Sequence, residues 1–163
     1  MAGEIKLDIS KITDYLYISA WPKAEHAGEI EGLNIRLILS MHWWKPNKML
    51  NQPPLRLLWL PTLDTPITPI PLASLWRGVE AALPVIAEGT AVLAHCRVGM
   101  HRSVAMASSV LIAKGYSTAD AMSLIKAQRE IADPYAPYIQ ARIVKFEEEW
   151  QRSSGDAADQ APM

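Results

Sequence analysis

Apolar and polar positions along this chain fall into two patterns, short β-type runs and longer stretches with helical spacing. Tyr15-Leu16-Tyr17-Ile18-Ser19 is aromatic and β-branched, and predicts a strand. Ile35 to Ser40 and Leu55 to Leu60 are apolar runs too short for helices. The first predicts a buried strand and the second a third strand, stopped by Pro61. Ala91-Val92-Leu93-Ala94-His95 predicts a fourth. Pro22 to Ile30 predicts a short helix, and Leu72 to Glu88 a longer one that Pro84 should kink. Beyond the fourth strand the spacing is helical. One helix runs from Arg102 to Lys114 and is closed by Gly115. The next is capped by Ser117 or Thr118, with Asp120 in a weak capping box. The last opens at Asp133-Pro134 and runs to about Gln151. His42 to Pro54 and Thr62 to Pro71 are proline-rich and predict irregular chain. Ser153 to Met163 is small and polar, without period, and predicts a disordered tail.

Strands separated by helices predict an α/β fold, a central, largely parallel sheet of four to five strands with helices on both faces. The 163 residues suit one domain, placed at 1–152 and followed by the tail 153–163. A net charge of −1 argues against a strongly basic nucleic-acid binder, so no specific nucleic-acid partner is expected. No apolar run approaches a membrane span, and the first residues lack the pattern of a secretory signal. The expected location is the cytoplasm. One cysteine leaves no internal disulfide, and the four histidines lack metal-ligand spacing, so neither metal nor cofactor is expected.

The chemistry concentrates where the fourth strand meets the next helix, in His95-Cys96-Arg97-Val98-Gly99-Met100-His101-Arg102-Ser103. The carboxyl end of a strand in such a sheet is where ligands bind. A short loop with a central glycine can turn successive backbone N–H groups toward one point and cradle an anion. The helix that follows adds its own N–H groups and the positive end of its dipole. Arg102 offers a planar fork for two phosphate oxygens. A thiol in that field ionises readily, which makes Cys96 a candidate thiolate nucleophile. Taken alone, a free cysteine is more often a buried small hydrophobe; its neighbours reverse that reading here.

The loop resembles the phosphate-binding H-C-x5-R-S loop of the cysteine-based protein tyrosine phosphatases. Chain length and element order resemble the small dual-specificity branch, from Ile12–Ile18 to about Trp150. The resemblance implies a phosphatase of phosphotyrosine, and also of phosphoserine or phosphothreonine, working through a phosphocysteine intermediate. It implies that residues 97–102 bind the phosphoryl group, that His95 supports the loop and that Ser103 donates to the thiolate. The family also uses an aspartate about thirty residues before the cysteine. Asp64, in Leu60-Pro61-Thr62-Leu63-Asp64-Thr65-Pro66, lies thirty-two positions before Cys96. By the same resemblance it is the general acid that gives the leaving oxygen its proton. Asp8, Asp14, Asp120 and Asp133 fall at element starts and are poorer candidates.

Two places depart from the usual dual-specificity loop. Val98 stands where Ala is common, and His101 stands where Ser is common before the arginine. Arg97 and His101 therefore add basic groups beside the phosphate site. The rival readings are a phosphoinositide, inositol-polyphosphate or RNA 5′-phosphatase with the same loop, a phosphate-binding module without turnover, and arsenate reduction or sulfur transfer. The partners expected are a phosphorylated protein or small phosphorylated substrate, with phosphate-like oxyanions as inhibitors. Trp43 and Trp44 read either as a lip of the cleft or partner patch, or as core. Arg129-Glu130 reads as a solvated helix face.

Overall fold

The structure, a computed structural model, describes residues 6–160. The described residues form five strands and five α-helices in the order β-β-α-β-β-α-β-α-α-α. The strands are β1 (Ile9–Thr13), β2 (Leu16–Ser19), β3 (Ile35–Ser40), β4 (Arg56–Trp59) and β5 (Ala91–His95). The helices are α1 (Ala27–Gly32), α2 (Leu72–Ala87), α3 (Arg102–Ala113), α4 (Thr118–Gln128) and α5 (Pro137–Asp159). The sheet order is β1-β2-β5-β3-β4, antiparallel between β1 and β2 and parallel elsewhere. This is the largely parallel α/β sheet that the strand and helix spacing predicts.

The inner strands β2, β3 and β5 are buried on both faces, which is why they read as largely apolar runs, whereas the edge strands β1 and β4 are partly exposed. Val92 and Ala94 of β5 join the larger core with α2, α3 and α5, while Ala91 and Leu93 join the smaller core with Ile30 of α1. Helix α3 is packed on nearly every side, with residues 102–112 all buried. It starts at the end of the central strand and runs through the middle of the larger core. The loop between β5 and α3 is therefore anchored at both ends by the best-packed parts of the fold.

Three boundaries differ from the sequence expectation. The edge strand β1 is separate from β2; only Ile12 of its residues is buried, so its alternation is weak in the sequence. The last helix opens at Pro137 instead of Pro134. The Asp133 carboxylate accepts a hydrogen bond from the Tyr135 amide at 3.2 Å, which turns the chain, and the second proline takes the first helical position. Third, α5 continues to Asp159, where the sequence predicts disorder from Ser153. Extending an existing helix adds one hydrogen bond per residue fixed, and no proline interrupts residues 153–159. Residues 161–163 of the expected tail lie outside the described residues.

Candidate active site

The parallel strands end at one level: Ser19 of β2, His95 of β5 and Ser40 of β3 are paired neighbours. The segments that leave these ends build one site. The Met41 amide donates to the His95 carbonyl at 2.9 Å, and the Trp21 amide to the Arg97 carbonyl at 3.0 Å. The segment after β4 brings Asp64 over the same edge. A cleft of about 480 Å³ results, lined by Asp64, Cys96, Arg97, Val98, Met100, His101 and Arg102.

Cys96 is buried at the cleft floor. Its Sγ lies 3.2 Å from Ser103 Oγ and accepts from the Gly99 amide at 3.3 Å. Burial alone would push the thiol pKa up. Hydrogen bonds from the Ser103 hydroxyl and amide, then from the Gly99 amide, and the Arg102 charge outweigh it and hold the thiol below its ordinary value. Arg102 is itself buried, its Nη1 donating to the Thr62 carbonyl at 2.8 Å. Its Nε has no hydrogen-bond partner among the described residues. The guanidinium is thus fixed along one edge and lines the cleft with donors to spare, the arrangement an oxyanion requires.

His95 lies under the loop and is fully buried, its Nδ1 3.1 Å from the Cys96 carbonyl oxygen. The carbonyl can only accept, so Nδ1 donates. Burial first, and then the charges of His42 and Arg102, outweigh the hydrogen bond to the Cys96 carbonyl, which favours the charged ring, and push its pKa down to about 4. Its ring also meets Trp21 edge to face.

Gly99 has φ +80°, and a Cβ there would stand 2.7 Å from Arg129 Nη2 and 2.8 Å from the Ser19 carbonyl. Both the backbone sign and the space exclude a side chain. The neighbour is informative, because Arg129 does not lie on a solvated face. Its side chain is 2% exposed. Its Nε donates to the Gly99 carbonyl at 2.8 Å and its Nη2 to the Val98 carbonyl at 2.8 Å. The fork also grips both carboxylate oxygens of Asp8, at 3.0 and 2.9 Å, and reaches Ser10 Oγ. A trans peptide directs its N–H opposite to its C=O, so holding these two carbonyls turns the Gly99 and Met100 N–H groups the other way, the Gly99 N–H onto Cys96 Sγ. A weak signal was present in the sequence: Met122 and Ile125 are core positions of α4, and Arg129, at its C-cap, follows Ile125 at helical spacing.

Asp64 stands at the rim. Tyr138 donates its hydroxyl to Oδ1 at 2.5 Å, and His101 Nδ1 lies 3.0 Å from Oδ2. Partial burial would raise the carboxyl pKa, but the Tyr138 and His101 hydrogen bonds and the charges of His101 and Arg102 hold it below its ordinary value. Tyr138 is in turn pushed up to about 12, by desolvation and by the Asp64 carboxylate. The fold thus turns His101 toward Asp64, whereas the sequence assigned it to the phosphoryl group. Tyr138 carried no sequence signal that set it apart from an ordinary helix aromatic. Asp133, expected as a helix cap, places Oδ2 3.6 Å from His101 Nε2.

Trp43 and Trp44 are 52% and 70% exposed, so neither is core. Trp44 joins Trp21, His42 and Arg97 around a second hollow of about 590 Å³ that shares Arg97 with the cleft.

No family model matches the chain. The tyrosine-protein phosphatase yvh1 of Schizosaccharomyces pombe is 29% identical over 145 residues, which is 88% of this chain and 43% of that protein. The chain therefore spans less than half the length of this curated relative. Among solved structures, PTPMT1 superposes with a TM-score of 0.81 at 23% identity, over 91% of this chain and 99% of that one. PTPMT1 is also known in complex with PI(5)P. Human DUSP28 gives 0.76 at 24% identity over 92% of this chain and 99% of its own, and DUSP15 gives 0.78 at 21% over 94% and 97%. The five-stranded sheet and the cysteine loop at its carboxyl edge define a dual-specificity-phosphatase-like α/β domain. With the sequence likeness to yvh1 added, the chain is similar to the cysteine-based protein tyrosine phosphatases and resembles their small dual-specificity branch.

Proposed function

We propose that the chain hydrolyses phosphate monoesters through a phosphocysteine intermediate. The observation that carries this reading is the set of groups that share one cleft. An activated Cys96 thiol lies on the floor, a fixed Arg102 on the wall and a carboxylate, Asp64, at the rim. In the first step the Cys96 thiolate attacks phosphorus, and Asp64 gives a proton to the departing oxygen. Arg102 and the amides of residues 97–102 hold the equatorial oxygens. In the second step Asp64, now a base, takes a proton from the attacking water, and Ser103 donates to the thiolate as it leaves. His95 supports the loop through the Cys96 carbonyl.

The substrates in this reading are phosphotyrosine and, in a shallow cleft, phosphoserine or phosphothreonine. A second reading, a phosphoinositide, draws support from the likeness to PTPMT1, known with PI(5)P, and from Arg97, exposed between the cleft and the neighbouring hollow. We also assign the protein to the cytoplasm, since a mechanism that needs a free thiolate suits a reducing compartment. Phosphatase assays with and without EDTA, on wild type and Cys96→Ser, test the core of the proposal. Turnover should survive the chelator and fall below about 1% in Cys96→Ser, since an unactivated hydroxyl is a poor nucleophile and such losses are 10²-fold or more. Phosphate should still bind that variant. A chelator-sensitive activity, or one that outlives Cys96, overturns the reading. Parallel assays on a phosphotyrosyl peptide and a phosphoinositide separate the two substrate classes.

A further inference from the structure

A general acid must hold a proton when the leaving group departs, yet the surroundings of Asp64 favour its ionised form. Both oxygens of its carboxylate accept hydrogen bonds, Oδ1 from Tyr138 and Oδ2 from His101. The proton positions follow from the distances. The Tyr138 hydroxyl hydrogen is committed to Oδ1 at 2.5 Å, and Tyr138 Oη lies 3.2 Å from His101 Nδ1. Nδ1 therefore carries the hydrogen that meets both Asp64 Oδ2 and the phenol oxygen. On the other side of the ring, Nε2 lies 3.6 Å from Asp133 Oδ2, so a proton there also meets a carboxylate. The ring is held between two acids, one in the loop after β4 and one in the turn before α5. The other titratable or charged groups around the cleft that it lines are Tyr138 from α5, Arg102 from α3, and Cys96 and Arg97 from the loop after β5. The His101 side chain is only 18% exposed, and it too lines the cleft.

We propose that His101 is a positioning residue that stores the proton for Asp64, so that the two side chains work as one acid–base pair. This rests on the phosphatase reading above. In the first step the S–P bond forms and the P–O bond to the leaving group breaks, leaving its electron pair on that oxygen. The Nδ1 proton of the His101 imidazolium passes to Asp64 Oδ2, and the carboxylic acid so formed protonates the leaving oxygen. The His101 ring is left neutral, with its remaining hydrogen on Nε2. In the second step the Asp64 carboxylate takes a proton from the water that attacks phosphorus, the S–P bond breaks to release thiolate, and the proton returns to Nδ1. The sum is monoester and water giving alcohol and phosphate. Asp64 alone touches the substrate; His101 acts through it, and Tyr138 fixes the carboxylate so that Oδ2 faces the ring.

His101→Asn tests this, because the asparagine amide nitrogen sits the same number of bonds from Cα as Nδ1. It can still donate to Asp64 but cannot release a proton. The readout is the basic limb of the kcat/KM profile against pH on phosphotyrosyl peptide. If the pair is the acid, the limb in wild type reports loss of the shared proton. In His101→Asn it reports Asp64 alone, so it moves to lower pH. Activity at neutral pH then falls by roughly tenfold or more, within the span of general acid catalysis. An activated nitrophenyl phosphate, which needs little protonation, should lose far less. If His101 only depresses the Asp64 pKa, the substitution frees Asp64 from that effect and moves the limb to higher pH. A limb that moves up or stays in place, or an equal loss on both substrates, overturns the proposal. Tyr138→Phe keeps the proton store and should retain the direction of the wild-type profile even if His101→Asn folds poorly; loss of its basic limb also overturns the pair. Failure of the phosphatase reading is a different result, namely wild-type turnover that does not depend on Cys96.

Discussion

Arg129 offers the sharpest test of how the phosphate loop is held. It is buried, yet four of its acceptors differ greatly in setting. The Val98 and Gly99 carbonyls belong to the loop, whereas the Asp8 side chain is 60% exposed. Hydrogen bonds from a charged donor contribute about 1.5–3 kcal/mol each, but an ion pair with an exposed carboxylate is worth at most about 1 kcal/mol after solvent screening. Arg129→Met should therefore destabilise the fold by about 3–5 kcal/mol, the usual range when one partner of a buried charged network is removed. Asp8→Ala should cost about 1 kcal/mol. For a chain of this size each kcal/mol lowers Tm by roughly 2–4 °C, so the two melts should differ by roughly 5 °C or more. The kinetic consequence should be larger than the structural one. Loop amides that are free to rotate no longer meet the anion, and the loss of one such donor costs about 10²–10³ in kcat. The assay is thermal unfolding alongside kcat/KM at a temperature where both variants are folded. If Asp8→Ala proved as damaging as Arg129→Met, the ion pair rather than the carbonyl anchorage would be what holds the loop.

Arg102→Lys should lower kcat/KM by roughly 10²-fold although the charge is kept, because a point donor cannot hold the Thr62 carbonyl and two phosphate oxygens together; near-normal kinetics would separate Arg102 from the phosphoryl group. Asp64→Asn should slow phosphotyrosine turnover by roughly 10²–10⁴-fold and an activated aryl phosphate much less, and an equal loss on both would make Asp64 a loop-shaping residue. Stability should fall as pH drops from the unfolded-histidine value toward the His95 value of about 4. The unfolded chain binds a proton there that the buried ring refuses, a loss of roughly 3 kcal/mol when complete. Denaturant unfolding at a series of pH values checks this, and His95→Asn should remove that part of the slope.

The fold was legible because both of its levels write themselves into local pattern. Strands of a largely parallel sheet read as short, mostly apolar runs, and four such runs, two of them interrupted by an arginine, stand out between Tyr15 and His95. The cysteine loop was legible because its chemistry is contiguous. Strand end, thiol, glycine, arginine and helix start follow one another within nine residues. What escaped notice is joined only by folding. Arg129 lies thirty residues beyond the Gly99 carbonyl that it holds, and Asp8 lies 121 positions from Arg129. Tyr138 meets Asp64 across 74 positions. No periodicity announces such a pair, since each residue taken singly is an ordinary polar side chain on a helix end or edge. The one recoverable sign, a charge that follows the core positions of α4 at helical spacing, requires trusting the helical pattern over the residue type.

The same positive field acts on Cys96 and on Asp64, and in the proposed mechanism the two need opposite things from it. The nucleophile must lose its proton, and the field of Arg102 and the loop amides helps it to do so. The acid must keep one, and the charges of Arg102 and His101 work against that. Distance from the loop amides offers Asp64 partial relief, since it sits at the rim, where it is still one-third exposed, while Cys96 sits on the floor at 3%. A bound phosphoryl group changes the balance further. Its negative charge lies between the loop and the carboxylate, cancels much of the field that Asp64 senses and disfavours a second anion beside it. The thiolate keeps its hydrogen bonds from Ser103 and Gly99, which substrate does not displace. Substrate binding therefore raises the proton affinity of the acid through charge while the short-range contacts continue to hold the nucleophile ionised. Under the proposed mechanism the free site is thus set for attack, and the occupied site becomes set for proton transfer.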